Sequence, residues 1–167
     1  MRVNCTPIEY LNMNEQRLTP LGAIPKIKQY CSYQERCHSE VRDKLYAFGL
    51  HKTDVEQLIS QMIVENYLNE ERFATMFAGG RFRLKKWGRV KIRYELKSKK
   101  VSDYCIRKAL EQIDDDDYMK ILNETAMKKW QLLKGEKNVY TKKKKLRDYL
   151  ISKGFESDLI KEEINKL

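Results

Sequence analysis

The sequence predicts an all-α protein, an elongated array of three tandem three-helix repeats with about nine helices. Three observations carry this. All three prolines, Pro7, Pro20 and Pro25, fall within the first 25 residues, so the residue most hostile to a helix interior is absent from Lys26 to Leu167. Apolar residues recur with a helical period between start and stop signals. One pattern of apolar positions then occurs three times along the chain.

The elements follow in order. Thr19 before Pro20 reads as an N-cap with proline at the first helical position, opening a helix over 20–30. Ser32 with Glu35 has capping-box spacing at the head of a second helix, 33–48, which Gly49 closes; Thr53 with Glu56 has the same spacing for a third, 53–64. Asn69 before Glu70 and Glu71 puts an acceptor and negative charge at the start of a fourth, 69–86, where the helix dipole favours them. Phe73, Met76, Phe77, Gly80 and Leu84 are its expected packing face, and Gly79-Gly80 hints at a bend. Gly88 separates it from a fifth helix, 89–99, followed by a sixth, 103–112. Asp114 to Asp117 start a seventh, 116–134, whose packing face is Tyr118, Leu122, Ala126, Trp130 and Leu133 and which Gly135 ends. Gly154 divides the last two, 141–153 and 156–166. Residues 1–18 show no sustained pattern and are expected to form a mobile tail, leaving units at 19–66, 67–113 and 114–167.

The repeat gives this list its organisation. Val41, Leu45, Gly49, Leu50, Val55, Leu58, Ile59 and Met62 align without a gap on Ile92, Leu96, Lys100, Val101, Ile106, Ala109, Leu110 and Ile113, a shift of 51. A further shift of 54 brings Leu146, Leu150, Gly154, Phe155, Ile160, Glu163, Ile164 and Leu167 into register. Each copy ends a helix, turns through an apolar residue and opens a second helix with apolar positions at i, i+3, i+4 and i+7. One such pair cannot bury its own apolar face, so each copy is expected to pack on the next.

Composition narrows the classes. With 41% apolar residues in 167, the chain can bury a core, and 7 Gly with 3 Pro exclude collagen-like and low-complexity architectures. No apolar run approaches the ~18–20 residues of a membrane span, and Met1 to Tyr10 lacks a basic region followed by an apolar stretch, so a soluble, cytoplasmic protein is expected. Cys5, Cys31, Cys37 and Cys105 form no C-x-x-C pair, and with only His38 and His51 to assist them they suit neither a disulfide framework nor a zinc finger. No phosphate-binding glycine loop, nucleophile elbow or H-E-x-x-H motif is present. A metal on the acidic run Asp114 to Asp117 is the one enzymatic alternative, and helix capping explains that run more simply. No cofactor, metal site or catalytic residue is expected.

Charge is concentrated. The net +10 comes from 34 Lys and Arg against 24 Asp and Glu, but residues 81–100 alone carry ten basic groups and Glu95, for +9. Residues 128–147 carry nine basic groups and Glu136, for +8, so the rest sums to 10 − 17 = −7. Arg89, Arg93, Lys97 and Lys100 fall on one helical stripe, and each window holds a tryptophan, Trp87 or Trp130. Two basic windows in an otherwise acidic chain point to a polyanionic or acidic protein partner. The candidate contacts are Arg81, Arg83, Lys85, Lys86, Trp87, Arg89, Lys91, Arg93 and Lys97 in the first window, and Lys142, Lys143, Lys144, Lys145 and Arg147 in the second. Trp130 suits a core position, whereas Trp87 fits either a core or an interface.

The stretch Leu68-Asn69-Glu70-Glu71-Arg72-Phe73-Ala74, then Arg81, Gly88-Arg89-Val90-Lys91-Ile92 and Glu95-Leu96, resembles the central signature of the RecX family of regulatory proteins. Ser39-Glu40-Val41-Arg42-Asp43-Lys44-Leu45 with Gly49 resembles that family's first repeat, and Tyr30-Cys31-Ser32 with Glu35-Arg36-Cys37 resembles the entry of some members. The likeness spans roughly 30–167; Lys100 departs from it, standing where the family usually has glycine. It implies an all-helical, monomeric bacterial protein that binds the RecA recombinase filament and restrains its extension, ATPase, strand-exchange and coprotease activities, with single- or double-stranded DNA as a second candidate partner. The alternative is a helical-repeat nucleic-acid-binding protein that acts without RecA.

Overall fold

The computed structural model describes residues 17–167; the greater part of the expected tail, with Cys5, lies outside them. The described residues form α1 (Pro20–Tyr33), α2 (His38–Ala47), α3 (Lys52–Val64), α4 (Glu70–Lys85), α5 (Arg89–Ser98), α6 (Asp103–Glu111), α7 (Asp115–Leu132), α8 (Val139–Lys153) and α9 (Ser157–Asn165), with no strand among them. None of these helices is long and apolar enough to cross a membrane.

Two compact units result, one from the residues up to Gln34 with Glu40–Leu68, the other from Glu35–Ser39 with Asn69–Leu167. The first packs α1, α2 and α3 around Ala23, Ile27, Val41, Leu45, Val55 and Met62. Arg17 and Leu18, placed in the tail by their sequence, belong to it: Leu18 donates its N–H to the Phe48 carbonyl at 2.9 Å. The second unit builds α4 to α9 around one core that includes Phe82, Ile92, Leu96, Tyr118, Leu146 and Leu150.

The repeat positions are the structural core. Val41, Ile92 and Leu146 are fully buried, as are Leu45, Leu96 and Leu150, each contributing about 1.5–3 kcal/mol of apolar burial. The turn after each pair is the same. Gly49, Lys100 and Gly154 adopt left-handed backbone at φ 80, 61 and 84. The next residue sends its N–H back five positions: Leu50 to Leu45, Val101 to Leu96 and Phe155 to Leu150. This satisfies carbonyls left open at a helix end. Lys100 takes the glycine conformation at a cost of roughly 1–2 kcal/mol. Glu163 occupies the slot of Leu58 and Ala109; buried, it accepts from Asn123 at 2.6 Å and Lys166 at 2.9 Å.

Thr19, Asn69 and Asp114 cap α1, α4 and α7 as their sequences predict, accepting from the N–H groups of Gly22, Arg72 and Asp117. Two capping boxes are not used. Ser32 lies in the last turn of α1 because the buried face Ala23, Ile27, Cys31 carries the helix past it, and Glu35 instead pairs with Arg72 at 2.6 Å. His51 precedes α3, leaving Thr53 inside the first turn and Glu56 paired with Arg42 at 2.9 Å. The α4 face is also corrected. Phe73, Ala74, Ala78 and Phe82 are buried, while Met76 and Leu84 are 60% and 80% exposed. The two alanines let α4 lie close against α6, and the helix runs unbroken through Gly79-Gly80.

Two glycines join the later triples of the second unit. Gly88 donates its N–H to the Lys153 carbonyl at 2.9 Å and Val90 donates to Gly154 at 3.1 Å. A Cβ on Gly88 would collide with the Gly154 backbone, and one on Gly154 with the backbone of Lys91. Gly88→Ala is therefore expected to lose about 1–3 kcal/mol from overpacking, and Gly154→Ala a further ~1–2 kcal/mol for its left-handed backbone. Gly80→Ala is the converse: its Cβ meets nothing within 4 Å. It should gain about 0.5–1 kcal/mol as a helix-interior substitution. Urea unfolding of the three variants checks the ordering, and a Gly88→Ala midpoint equal to the parent's would refute the tight junction.

Candidate functional site

The first basic window occupies the end of α4, the following turn and α5. Arg83 and Lys85 stand in the last turn of α4, where exposed carbonyls and the helix dipole favour cations. The chain leaves through Lys86 in left-handed conformation, φ 54, its N–H bonded to the Phe82 carbonyl at 3.1 Å, and Gly88 then opens α5.

Arg89, the first residue of α5, turns inward. Its Nη2 donates to the Ile113 carbonyl at 3.1 Å and to Asp115 at 2.5 Å, and its guanidinium lies 4.2 Å from the Tyr118 ring centroid. Its backbone N–H donates to the Tyr118 hydroxyl at 3.0 Å, and that hydroxyl donates to Glu156 at 2.5 Å. Burial, then the bond to Glu156, pushes the Tyr118 phenol well above its ordinary range, so it stays a donor. Phe82 and Phe155 flank the ring at 5.7 and 5.5 Å.

Other candidate cations are engaged more loosely. Lys91 donates to the Ser152 carbonyl at 3.0 Å and sits over Trp87, which Arg81 also approaches at 5.3 Å. Lys97 pairs with Asp103 at 3.1 Å. In the second window Lys142 caps the Trp130 ring at 3.8 Å, and Lys145 pairs with Glu136 at 2.7 Å. That bond, helped by the Asn138 N–H, holds the Glu136 carboxyl below its ordinary range. Because the shift is downward, the interaction persists above the unfolded carboxylate value and is lost as pH falls through the depressed one.

Both tryptophans are half-buried against the core of the second unit. The side chains of Arg83, Lys85, Lys86, Arg93, Lys143, Lys144 and Arg147 make no ion pair among the described residues. Arg83, Lys85, Arg93, Lys144 and Arg147 are exposed and Lys86 and Lys143 half-buried; beside them Tyr94 is 71% exposed. The sequence reading placed Tyr118 in the core but missed its hydroxyl, along with Glu156 and Asp115 as partners. The available signal was general: a buried phenol needs a hydrogen-bond partner. Among the described residues no group of three or more His, Cys, Asp or Glu side chains could hold a metal ion, and Cys31, Cys37 and Cys105 are buried.

Comparison with known proteins matches residues 69–110 to the family model described as RecX, second three-helix domain, and 115–164 to RecX, third three-helix domain. Regulatory protein RecX of Prosthecochloris aestuarii is 33% identical over 145 residues, covering 87% of this chain and 93% of that protein. Regulatory protein RecX of Thermotoga petrophila is 32% identical over 158 residues, covering 92% and 88%. In fold, the chain is similar to the crystal structure of RecX from Lactobacillus salivarius, with a TM-score of 0.79 at 24% identity over 89% of this chain and 96% of that one.

The division between inward and outward cations is measurable. Tyr118→Phe strands the Arg89 N–H and removes a donor from Glu156, and is expected to cost about 1–3 kcal/mol. Arg89→Met should cost a comparable amount, whereas Arg93→Met, on the exposed side of α5, should stay within about 0.5 kcal/mol of the parent. Equal unfolding midpoints for the two arginine variants would contradict the assignment.

Proposed function

The chain belongs to the RecX family of regulatory proteins, and from that membership we propose that it binds the RecA recombinase filament and inhibits it. On this reading it restrains filament extension, ATP hydrolysis, strand exchange and coprotease activity, and so modulates DNA repair and the SOS response in the bacterial cytoplasm. It acts as a monomer, by binding rather than by catalysis. The observation that carries the proposal is family likeness across most of the chain, with both later three-helix domains matched in order. The outward cations support it. Arg83, Lys85, Lys86 and Arg93, with Lys143, Lys144 and Arg147, offer charge to an acidic protein face or to phosphates of a nucleoprotein filament without first giving up an internal ion pair.

The same cations favour a second reading, direct nucleic-acid binding without RecA. That reading predicts affinity for bare DNA whose log K falls with log salt at about −0.7 to −0.9 per phosphate neutralised.

RecA ATPase on single-stranded DNA, with the protein substoichiometric to RecA, separates the two. Inhibition is expected from the parent. The triple change Lys86→Glu, Arg93→Glu and Lys144→Glu should raise the concentration needed for half inhibition by about tenfold or more, equivalent to ~1.4 kcal/mol of binding. A folded parent protein that leaves the ATPase untouched would overturn the RecA proposal. Tight, salt-steep binding to bare DNA would then favour the alternative.

A further inference from the structure

The family likeness does not explain the groove between α8 and α9. Tyr140, Lys144, Arg147 and Ile151 stand at i, i+4, i+7 and i+11 on α8, a single helix face roughly 16 Å long. Across from it, Ser157, Lys161 and Asn165 recur at i, i+4 and i+8 on α9. Ile160 and Ile164, both buried, floor the space between. Two adjoining clefts, of about 370 and 270 Å³, occupy this groove, and Arg147 and Asn165 line both.

Its chemistry is mixed in an informative way. The apolar groups at its ends are open to solvent, Tyr140 at 81% and Ile151 at 51%. Between them lie four cations, Lys143, Lys144, Arg147 and Lys161, against the single acid Asp148, a local balance of 4 − 1 = +3. None of the four makes an ion pair among the described residues. A groove serving only to pack α8 on α9 requires neither the cations at its mouth nor the exposed apolar ends.

We infer that this groove is a docking site for an acidic peptide segment carrying aliphatic or aromatic anchors at helical spacing. Its anchors would seat over Ile151 and Tyr140, and its carboxylates would face Arg147 and the flanking lysines. A nucleic-acid strand would use the cations and stack a base on Tyr140, but would leave the exposed aliphatic Ile151 at the other end unmatched. Ile160 and Ile164 leave almost no surface of their own, so the open apolar groups are Ile151 and Tyr140 at the two ends with cations between. An amphipathic helix with terminal anchors and intervening carboxylates matches that spacing. The inference does not depend on RecA being the partner.

The test uses the full chain without RecA. The probe is a fluorescein-labelled peptide of about twelve residues, long enough to span the groove, with leucines at i, i+4, i+7 and i+11 and glutamates elsewhere. Fluorescence anisotropy should show saturable binding. Lys144→Glu combined with Arg147→Glu should weaken it about tenfold or more. Ile151→Ser, which changes no charge, should weaken it by about threefold or more, with helical circular dichroism unchanged in each variant. An all-glutamate peptide of the same length should bind much more weakly. The proposal is overturned by absence of binding to the parent, or by equal binding of the all-glutamate peptide, which would reduce the groove to a charge patch. It is also overturned if oligothymidylate or phosphatidylserine vesicles bind at least as tightly with the same sensitivity to the variants.

Discussion

The second unit depends on two backbones meeting where neither has a side chain. At Gly88 and Gly154 the turn between α4 and α5 lies directly on the turn between α8 and α9, closely enough that the Gly88 and Val90 N–H groups reach the Lys153 and Gly154 carbonyls. These are unlike turns: one follows the left-handed Lys86, the other is itself left-handed at Gly154. Their fit lets α5 start against α8, which buries Ile92, Leu146 and Leu150 in one core. Lysines reinforce it from both sides, Lys91 reaching the Ser152 carbonyl at 3.0 Å and Lys153 the Lys85 carbonyl at 3.3 Å. Beside it the Tyr118 ring fills the gap between Phe82 and Phe155. Its hydroxyl is satisfied in both directions, so burial carries no unpaired polar group.

Much of this fold is legible in the sequence because the same physical problem is solved three times. A helix end, a left-handed turn and a buried residue after it leave a pattern that survives the change from Gly49 to Lys100 to Gly154. The apolar period between helix start and stop signals accounts for the nine helices among the described residues. Starts are less secure. A capping box is a four-residue signal, and Ser32 with Glu35 satisfies it as well as any true cap; tertiary burial of Cys31 decides otherwise. At His51 the turn at Gly49 and the buried Leu50 set the register, and Thr53 falls inside the helix whatever its capping preference. The α4 face was obscured differently. Large apolar residues lie on both sides of that helix, and the small Ala74 and Ala78, not Met76 and Leu84, mark the side that packs.

The candidate surface was legible as charge but not as orientation. Residues 81–100 and 128–147 announce themselves by composition, yet whether a given cation faces out is settled by partners far along the chain. Arg89, Arg93, Lys97 and Lys100 share a helical stripe, but Asp115 and the Ile113 carbonyl draw Arg89 inward while Arg93 stays exposed. Lys91 finds its acceptor 61 positions away. No local pattern encodes such pairings.

Arg89 also shows why charge counts overstate recognition. Its guanidinium donates to a carbonyl and a carboxylate from one terminal nitrogen while its central carbon stands 4.2 Å from the Tyr118 ring centroid, three interactions a lysine's single ammonium could not reproduce in that geometry. A residue so used is part of the scaffold, and the Gly88-Arg89 pair in the signature segment is then a junction element as a whole: the glycine admits the α8–α9 turn and the arginine ties α5 to the start of α7. The cations left over stand on helices fixed by that junction. Arg83 and Lys85 end α4, Arg93 lies on α5, and Lys143, Lys144 and Arg147 line α8, all within the second unit. On the reading proposed above, meeting a partner would cost side-chain entropy but little for arranging the backbone beneath, so the inward arginine would serve binding by fixing the positions of the others.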